Sequence, residues 1–228
     1  MTNTNMKVTV IIPAKEEAET IGPIIDGSAP YADELIVIDG HSKDGTAKVA
    51  EEKGARVVLD HGRGKGDAVR LGIETATGDV IAFIDADGSH DPNDIPKLVK
   101  PIVEEGYDLV IGSRMVGGSD ELHGTLGEAT RLMGNTVTTL VINWRFNVRL
   151  TDYQNGLRAI RTSVARSLGL RSNIPTIEQE MAIKCLKRGY KVTEVGTHEY
   201  KRQAGVTKIP ILKIGYRFPL NLLKNILF

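Results

Sequence analysis

Through the first half of the chain, short apolar runs of strand length alternate with segments of helical period, and this alternation restricts the fold more than any other feature. Runs rich in Val and Ile cover 8–12, 35–38, 56–59, 80–84 and 108–111, with helical patterns at 17–25, 46–53, 66–76 and 92–105 between them. Alternation of this kind produces parallel strands joined by right-handed crossovers. An α/β fold with a mostly parallel central sheet flanked by helices is therefore expected. Asp91 and Pro92 supply an N-cap and an N1 proline for the fourth helix. Further helices are expected over 128–142 and 177–188, around a polar stretch at 151–158, and no strand order is assigned there. Leu126, Ala129, Met133, Val137, Leu140 and Val141 share one helix face, which is read as core packing.

The 228 residues suffice for one large domain, and no linker-like stretch divides them. Residues 1–6 are expected to be disordered, 7–210 to form the domain and 211–228 an amphipathic helical tail. In that tail Leu220, Leu223 and Leu227 share helical spacing around Lys224. Such a helix fits either peripheral contact with a membrane face or packing on the protein. The tail is too short and too interrupted to span a bilayer, and no signal peptide precedes the domain. Twenty-nine basic and 29 acidic residues cancel, which argues against nucleic acid as a partner. The single Cys185 excludes an intrachain disulfide and a cysteine-cluster zinc site. A cytoplasmic protein is expected, peripheral on the membrane if the tail lies on lipid.

In open parallel sheets, ligands bind beyond the carboxyl ends of the strands. Those ends carry Pro13-Ala14-Lys15-Glu16, Asp39-Gly40-His41-Ser42, Asp85-Ala86-Asp87 and Gly112-Ser113-Arg114, so four polar loops converge on one edge. Asp85 and Asp87, separated by one residue at the end of an apolar strand, are hard oxygen ligands suited to Mg²⁺ or Mn²⁺ and a substrate diphosphate. The same pair also has the composition of a solvated turn. An EF-hand is excluded, because the twelfth position from Asp85 is Pro96. His90 is not assigned as a ligand. Gly62-Arg63-Gly64-Lys65-Gly66-Asp67 opens a helix where backbone N–H groups and Lys65 can meet an anion, although a glycine turn explains the same residues. It lacks the Gly-Lys-Ser/Thr ending of a P-loop.

Taken in order, Ile11 to Glu16, Asp39 through Asp44-Gly45-Thr46, Gly64-Lys65-Gly66, Asp85-Ala86-Asp87 and Gly112-Ser113-Arg114 resemble the inverting family-two glycosyltransferases. Within that family Asp152 to Ala159, Arg188 to Val192 and the stretch from Arg202 to Lys208 are similar to the dolichyl-phosphate mannose synthase and dolichyl-phosphate glucosyltransferase branch. The resemblance implies a GT-A, Rossmann-like domain that moves a hexose from a UDP- or GDP-linked donor to a polyprenyl phosphate with Mg²⁺ or Mn²⁺. It places Pro13, Ala14, Lys15, Glu16, Asp39, Lys65 and Asp85 around the donor, and Asp87, Asp85 and Ser89 at the metal. Arg114, Arg131 and Arg202 would face the acceptor and diphosphate; solvated surface charge is their other reading. Three positions depart from the family's pattern: Lys15 replaces an asparagine, Gly40 a frequent second aspartate, and Ser89 a metal-contacting glutamine.

The acceptor divides the remaining readings. A lipid phosphate is already ionised at neutral pH, whereas a hydroxyl acceptor, on a phosphorylated small acid or a saccharide, needs a carboxylate base. Glu178 and Glu180 are the candidate bases, although acidic residues in a first helical turn also favour the helix macrodipole. A sugar nucleotidyltransferase would carry a glycine-rich basic loop directly after the first strand, where this chain has Pro13 to Glu17. A non-catalytic sugar-binding module would not need Asp85 and Asp87 beside a basic cluster.

Overall fold

A computed structural model describes residues 6–120, 126–202 and 217–227, with the side chains of 126–132, 217 and 227 outside the description. Residues 1–5, where disorder is expected, and the first part of the tail, 211–216, lie outside the described residues, as does the side chain of Arg131. The five expected strands form as β1 (Val8–Ala14), β2 (Glu34–Asp39), β3 (Arg56–Leu59), β4 (Val80–Phe83) and β5 (Leu109–Ser113). Two more strands, β6 (Arg158–Arg161) and β7 (Val192–Gly196), complete a seven-stranded sheet of order β3-β2-β1-β4-β6-β5-β7. Only β6 runs antiparallel to its neighbours, pairing Phe83 with Arg158 on one side and Ile111 with Arg158 on the other. The sheet is thus the mostly parallel, GT-A arrangement expected.

Side chains alternate between the faces, as the period of two requires. Ile11, Ile36 and Ile81 enter one apolar layer with α3 (Lys65–Thr75), α7 (Thr162–Ser167) and α8 (Ile177–Lys187). Val10, Ile12 and Val37 enter the other with α1 (Ile21–Ser28), α2 (Thr46–Glu52) and α4 (Ile95–Glu104). Successive connections leave β1 toward β2 on one side and return to β4 on the other. The strand order therefore reverses between β1 and β4, and the crevice opens where Pro13 and Asp85 emerge.

Helix starts shift for local reasons. The first begins at Ile21, because Glu17 is drawn to the next loop by a bond from its N–H to Thr46 Oγ1. The fourth is preceded by a 3₁₀ turn, Pro92–Asp94, which Asp91 caps by accepting from Asn93 N. A short α5 (Arg114–Gly117) follows β5 directly, and α6 (Leu126–Phe146) is longer than its pattern suggests.

One expectation about α6 is corrected: Met133, Val137, Leu140 and Val141 face outward, while Asn135, Thr138, Thr139 and Ile142 are buried. Periodicity marks an apolar face but does not say which face meets the sheet. The tail helix α9 (Arg217–Leu227) packs on α8 through Leu222 and Asn225, and Leu220 and Leu223 point outward.

Candidate functional site

The loops after β1 and β2 are locked together. Glu16 N donates to Ser42 Oγ at 2.8 Å, Gly40 N to Ala14 O at 2.8 Å and Ala18 N to Asp44 Oδ2 at 3.0 Å. Lys43 N donates in return to Glu16 Oε1 at 3.0 Å. Glu16 and His41 both hold positive φ, at 54° and 62°, a conformation that side chains other than glycine resist. Pro13, Ala14, Lys15, Glu16 and Asp39 are thus brought to one rim by a cross-braced pair of loops. Asp39 is 1% exposed; its Oδ2 accepts from Ser42 N, and its Oδ1 has no hydrogen-bond partner. A buried acceptor left open in this way requires a donor from water or from a ligand.

Beyond β4 the chain turns through Asp85 and Asp87. Asp87 Oδ1 accepts from both Ser89 N at 3.0 Å and Ser89 Oγ at 2.6 Å, while Oδ2 meets Arg202 Nη2 at 2.7 Å. Ser89 therefore positions the carboxylate, and a guanidinium cation stands at its open edge. Asp85 takes the opposite wall, with Lys65 Nζ at 2.8 Å from its Oδ1. The same ammonium lies 3.0 Å from Glu178 Oε1. Burial alone would pull Lys65 down, but the Asp85 and Glu178 carboxylates outweigh it and hold the ammonium above its usual range. For Asp85, burial acts upward and Lys65 and His90 act downward, with a net shift below the ordinary value. Both groups are charged at neutral pH.

Close approach explains the glycines here. A Cβ on Gly156 would lie 2.4 Å from Asp85 Oδ2, and one on Gly66 would lie 2.1 Å from Ser172 O. The Gly66 N–H expected to meet an anion donates instead to Asn173 O. Lys65 is the cation of that turn that meets Asp85 and Glu178. Glu180 also departs from expectation as a base, because it accepts from the backbone of Arg171 and Ser172 and pairs with Lys184. Glu178 does reach the crevice, in a narrow cavity lined by Pro13, Lys65, Asp85, Gly156 and Arg158, and its buried Oε2 has no hydrogen-bond partner.

Arg114 is held by carboxylates from two loops. Its Nε bonds Asp152 Oδ2 at 2.5 Å, Nη2 bonds Asp152 Oδ1 at 3.1 Å and Nη1 bonds Glu199 Oε1 at 3.0 Å, all buried. The guanidinium braces these two loops. Burial would lower it, and the two carboxylates reverse that and raise it. Arg158 is another brace, 1% exposed, donating to the carbonyls of Tyr153, Asn155 and Glu178 and so tying the Gly156 turn to α8. Asp152, Gly156, Arg158 and Glu199 were not assigned roles from sequence. The polar stretch 151–158 and the resemblance over Asp152 to Ala159 marked three of them, and nothing local distinguished Glu199. His90, also buried, bridges to Glu199 through the backbone. Burial, against the pull of Asp85, lowers its pKa.

A crevice at the switch point of a mostly parallel sheet, holding an acidic pair, a trapped lysine and open buried acceptors, defines a nucleotide-sugar transferase of the GT-A class. The model of glycosyl transferase family 2 matches residues 9–169, and the chain belongs to that family. Among curated relatives, the glycosyltransferase AglJ of Haloferax volcanii is 36% identical over 203 residues, covering 87% of this chain and 64% of its own length. This chain thus spans less than two thirds of that relative. A dolichyl-phosphate hexose transferase of the same organism is 27% identical over 205 residues, covering 89% of this chain and 86% of its own. Among solved structures, glucosyl-3-phosphoglycerate synthase of Mycobacterium tuberculosis, in complex with Mn²⁺, UDP and glucosyl-3-phosphoglycerate, superposes with a TM-score of 0.78 at 25% identity. That match covers 98% of this chain and 81% of the synthase.

Proposed function

We propose that the protein transfers a hexose from a nucleoside diphosphate sugar to a polyprenyl phosphate, with inversion at the anomeric carbon, at the cytoplasmic face of a membrane. The observation that carries this reading is the engagement of Glu178 by Lys65: the candidate base in the crevice is held by a cation, which suits an acceptor that needs no deprotonation. The dolichyl-phosphate hexose transferase among the relatives supports the same acceptor class.

In this reading Pro13, Ala14, Lys15, Glu16 and Asp39 hold the nucleoside, with Asp39 Oδ1 accepting from the base. Lys65 turns toward the diphosphate while Asp85 keeps it in place. The donor set of Asp87 and Asp85 fits Mg²⁺ or Mn²⁺, and the guanidinium at Asp87 Oδ2 already occupies the seat of a cation. When bound, the metal neutralises charge developing on the leaving diphosphate. Among the described residues no three His, Cys, Asp or Glu side chains form a cage, so diphosphate oxygens and water would complete the coordination. The phosphate oxygen of the acceptor attacks the anomeric carbon, the bond to the nucleoside diphosphate breaks, and Arg202 and Arg131 orient the acceptor phosphate through guanidinium forks.

Arg202 then changes partner on loading. Arg202→Gln is expected to tighten binding of Mn²⁺ alone about fivefold, corresponding to about 1 kcal/mol for a partly exposed pair, while slowing transfer. Titration of free Mn²⁺ followed by its paramagnetic signal checks the first effect and turnover the second. Weaker Mn²⁺ binding in the variant would reject the exchange.

A second reading is favoured by the open Glu178 Oε2 and by the synthase among the structural neighbours: transfer to a hydroxyl of a soluble phosphorylated acid. Glu178→Gln separates the two. With a short-chain polyprenyl phosphate as acceptor, the lipid-phosphate reading expects a rate within about tenfold of the parent. The hydroxyl reading expects transfer to a small acid such as 3-phosphoglycerate in the parent, reduced about a hundredfold or more in the variant, about 2.7 kcal/mol.

A further inference from the structure

The corrected face of α6 has an origin in the packing beneath it. Tyr153, wholly buried, donates its hydroxyl to Thr138 Oγ1 of α6, and Gln179 Nε2 of α8 lies 3.4 Å from the same Tyr153 oxygen. On the other side, Asn221 Nδ2 of α9 donates to Gln179 Oε1 at 3.0 Å. Both helices therefore pack on α8 and are linked to Gln179, α6 through Tyr153 and α9 directly. Their polar residues turn inward to this relay. Their apolar residues turn outward: Met133, Val137, Leu140 and Trp144 follow one another at helical spacing on α6, and Leu220 and Leu223 on α9. Trp144, the single tryptophan of the chain, is 84% exposed. An exposed apolar row of this kind marks an interaction surface.

Charge identifies what covers it. In sequence, 129–151 contains three arginines and 200–228 contains six Lys or Arg, and neither segment has any Asp or Glu, although the whole chain is neutral. Arg145, Arg149 and Lys224 are exposed beside the apolar residues. A two-fold contact between copies would set these cations against themselves. An anionic bilayer matches both properties, taking apolar side chains at the headgroup boundary and cations among its phosphates. Tryptophan is the side chain best suited to that boundary. Among the described residues no helix is long and apolar enough to cross a membrane.

We propose that the outward face of α6 and α9 docks on an anionic phospholipid bilayer, with Trp144 and Leu140 entering the headgroup boundary. The inference deepens the lipid-acceptor reading and rests on it for its purpose, since it brings the crevice to the surface from which a polyprenyl phosphate would arrive. It assigns the contact mainly to α6, with the tail helix contributing.

The test uses the full chain and vesicles of phosphatidylcholine, alone or mixed with phosphatidylglycerol. Cosedimentation with the mixed vesicles only, weakened by salt, is expected, together with a blue shift of Trp144 emission and its quenching by brominated lipid. Leu140→Glu and Trp144→Glu should each weaken vesicle binding about tenfold or more, while Leu140→Glu leaves transfer to a short-chain polyprenyl phosphate at the parent rate. The proposal is overturned if the parent neither sediments nor shifts with anionic vesicles, or if the glutamate variants bind as the parent does. It is equally overturned if Trp144 emission shifts with protein concentration in the absence of lipid, which would identify a second copy as the occupant. Transfer to the short-chain acceptor without vesicle binding removes the docking face and leaves the acceptor reading. Vesicle binding without such transfer does the reverse.

Discussion

Asp87→Asn is expected to lower transfer by at least about a hundredfold and to abolish metal-dependent nucleotide binding while the fold survives. The amide keeps the volume of the side chain and an oxygen that can still accept from Ser89 N and Ser89 Oγ, so the turn after β4 retains its bonds. What it removes is the negative charge facing Arg202 at 2.7 Å. That pair is partly exposed, and losing it costs about 1 kcal/mol or less, equivalent to roughly 2–4 °C in unfolding temperature for a chain of this size. In the proposed mechanism, by contrast, function depends on that charge, because Asp87 and Asp85 would be the protein's main ligands to the cation. Calorimetric titration with UDP and with GDP, each with and without Mn²⁺, measures the effect directly. A folded variant that still binds nucleotide in a metal-dependent way would remove Asp87 from the metal site.

The fold was legible because its determinants are local. Five β-branched runs and the turns between them gave the strands in sequence order, and Asp91-Pro92 gave a helix start, through interactions spanning only a few residues. The two strands that went unassigned are different. β6 contains Arg158 and Arg161 and reads as polar, yet Arg158 is buried because carbonyls of Tyr153 and Asn155 in the preceding turn and of Glu178 in α8 receive it. β7 is a half-buried edge strand of mixed residues, defined mainly by its pairing to β5. The outward face of α6 shows the complementary limit: an amphipathic pattern has the same form whether the helix turns that face to the sheet or away from it.

The site was legible to the extent that it lies at strand ends. Topology alone carries Pro13, Asp39, Asp85 and Asp87 to one edge, and the structure adds Lys65 and Arg202 to the acidic pair by direct contact. The partners that orient these groups come from positions with no fixed spacing to them. Ser172 and Asn173 press on the glycines around Lys65, and Gly156 clears space for Asp85. Glu178 and Glu180 stand two residues apart on the same helix, yet one meets Lys65 in the crevice and the other caps the backbone of Arg171 and Ser172. The direction in which a helix presents its first turn is a tertiary fact.

Arg114 provides the sharpest separation between a residue that binds and one that braces, and Arg114→Ala is expected to destabilise the fold severely. Asp152 has a fully buried side chain and Glu199 is nearly so, and both would be left facing an empty space of the size of a guanidinium. Breaking a buried pair in this manner costs about 3–5 kcal/mol, or roughly 6–20 °C in unfolding temperature at this chain length. Arg114→Lys should fall between the two, because an ammonium cannot fork to both oxygens of Asp152 and also reach Glu199. The pH dependence carries an independent sign. Burial raises Asp152, but Arg114 outweighs it and holds the carboxyl below its ordinary range. The pair's contribution is therefore fully present above the unfolded value of about 3.9 and is lost as pH falls through the lower folded value. In the alanine variant a protonated Asp152 no longer needs a partner, so the gap in unfolding temperature between parent and variant should narrow as the medium is acidified below about pH 4. Thermal unfolding followed by circular dichroism across that range measures both effects. A variant that unfolds with the parent at every pH yet loses transfer would instead make Arg114 a ligand contact, and Asp152 and Glu199 would then have to be stabilised by something other than its charge.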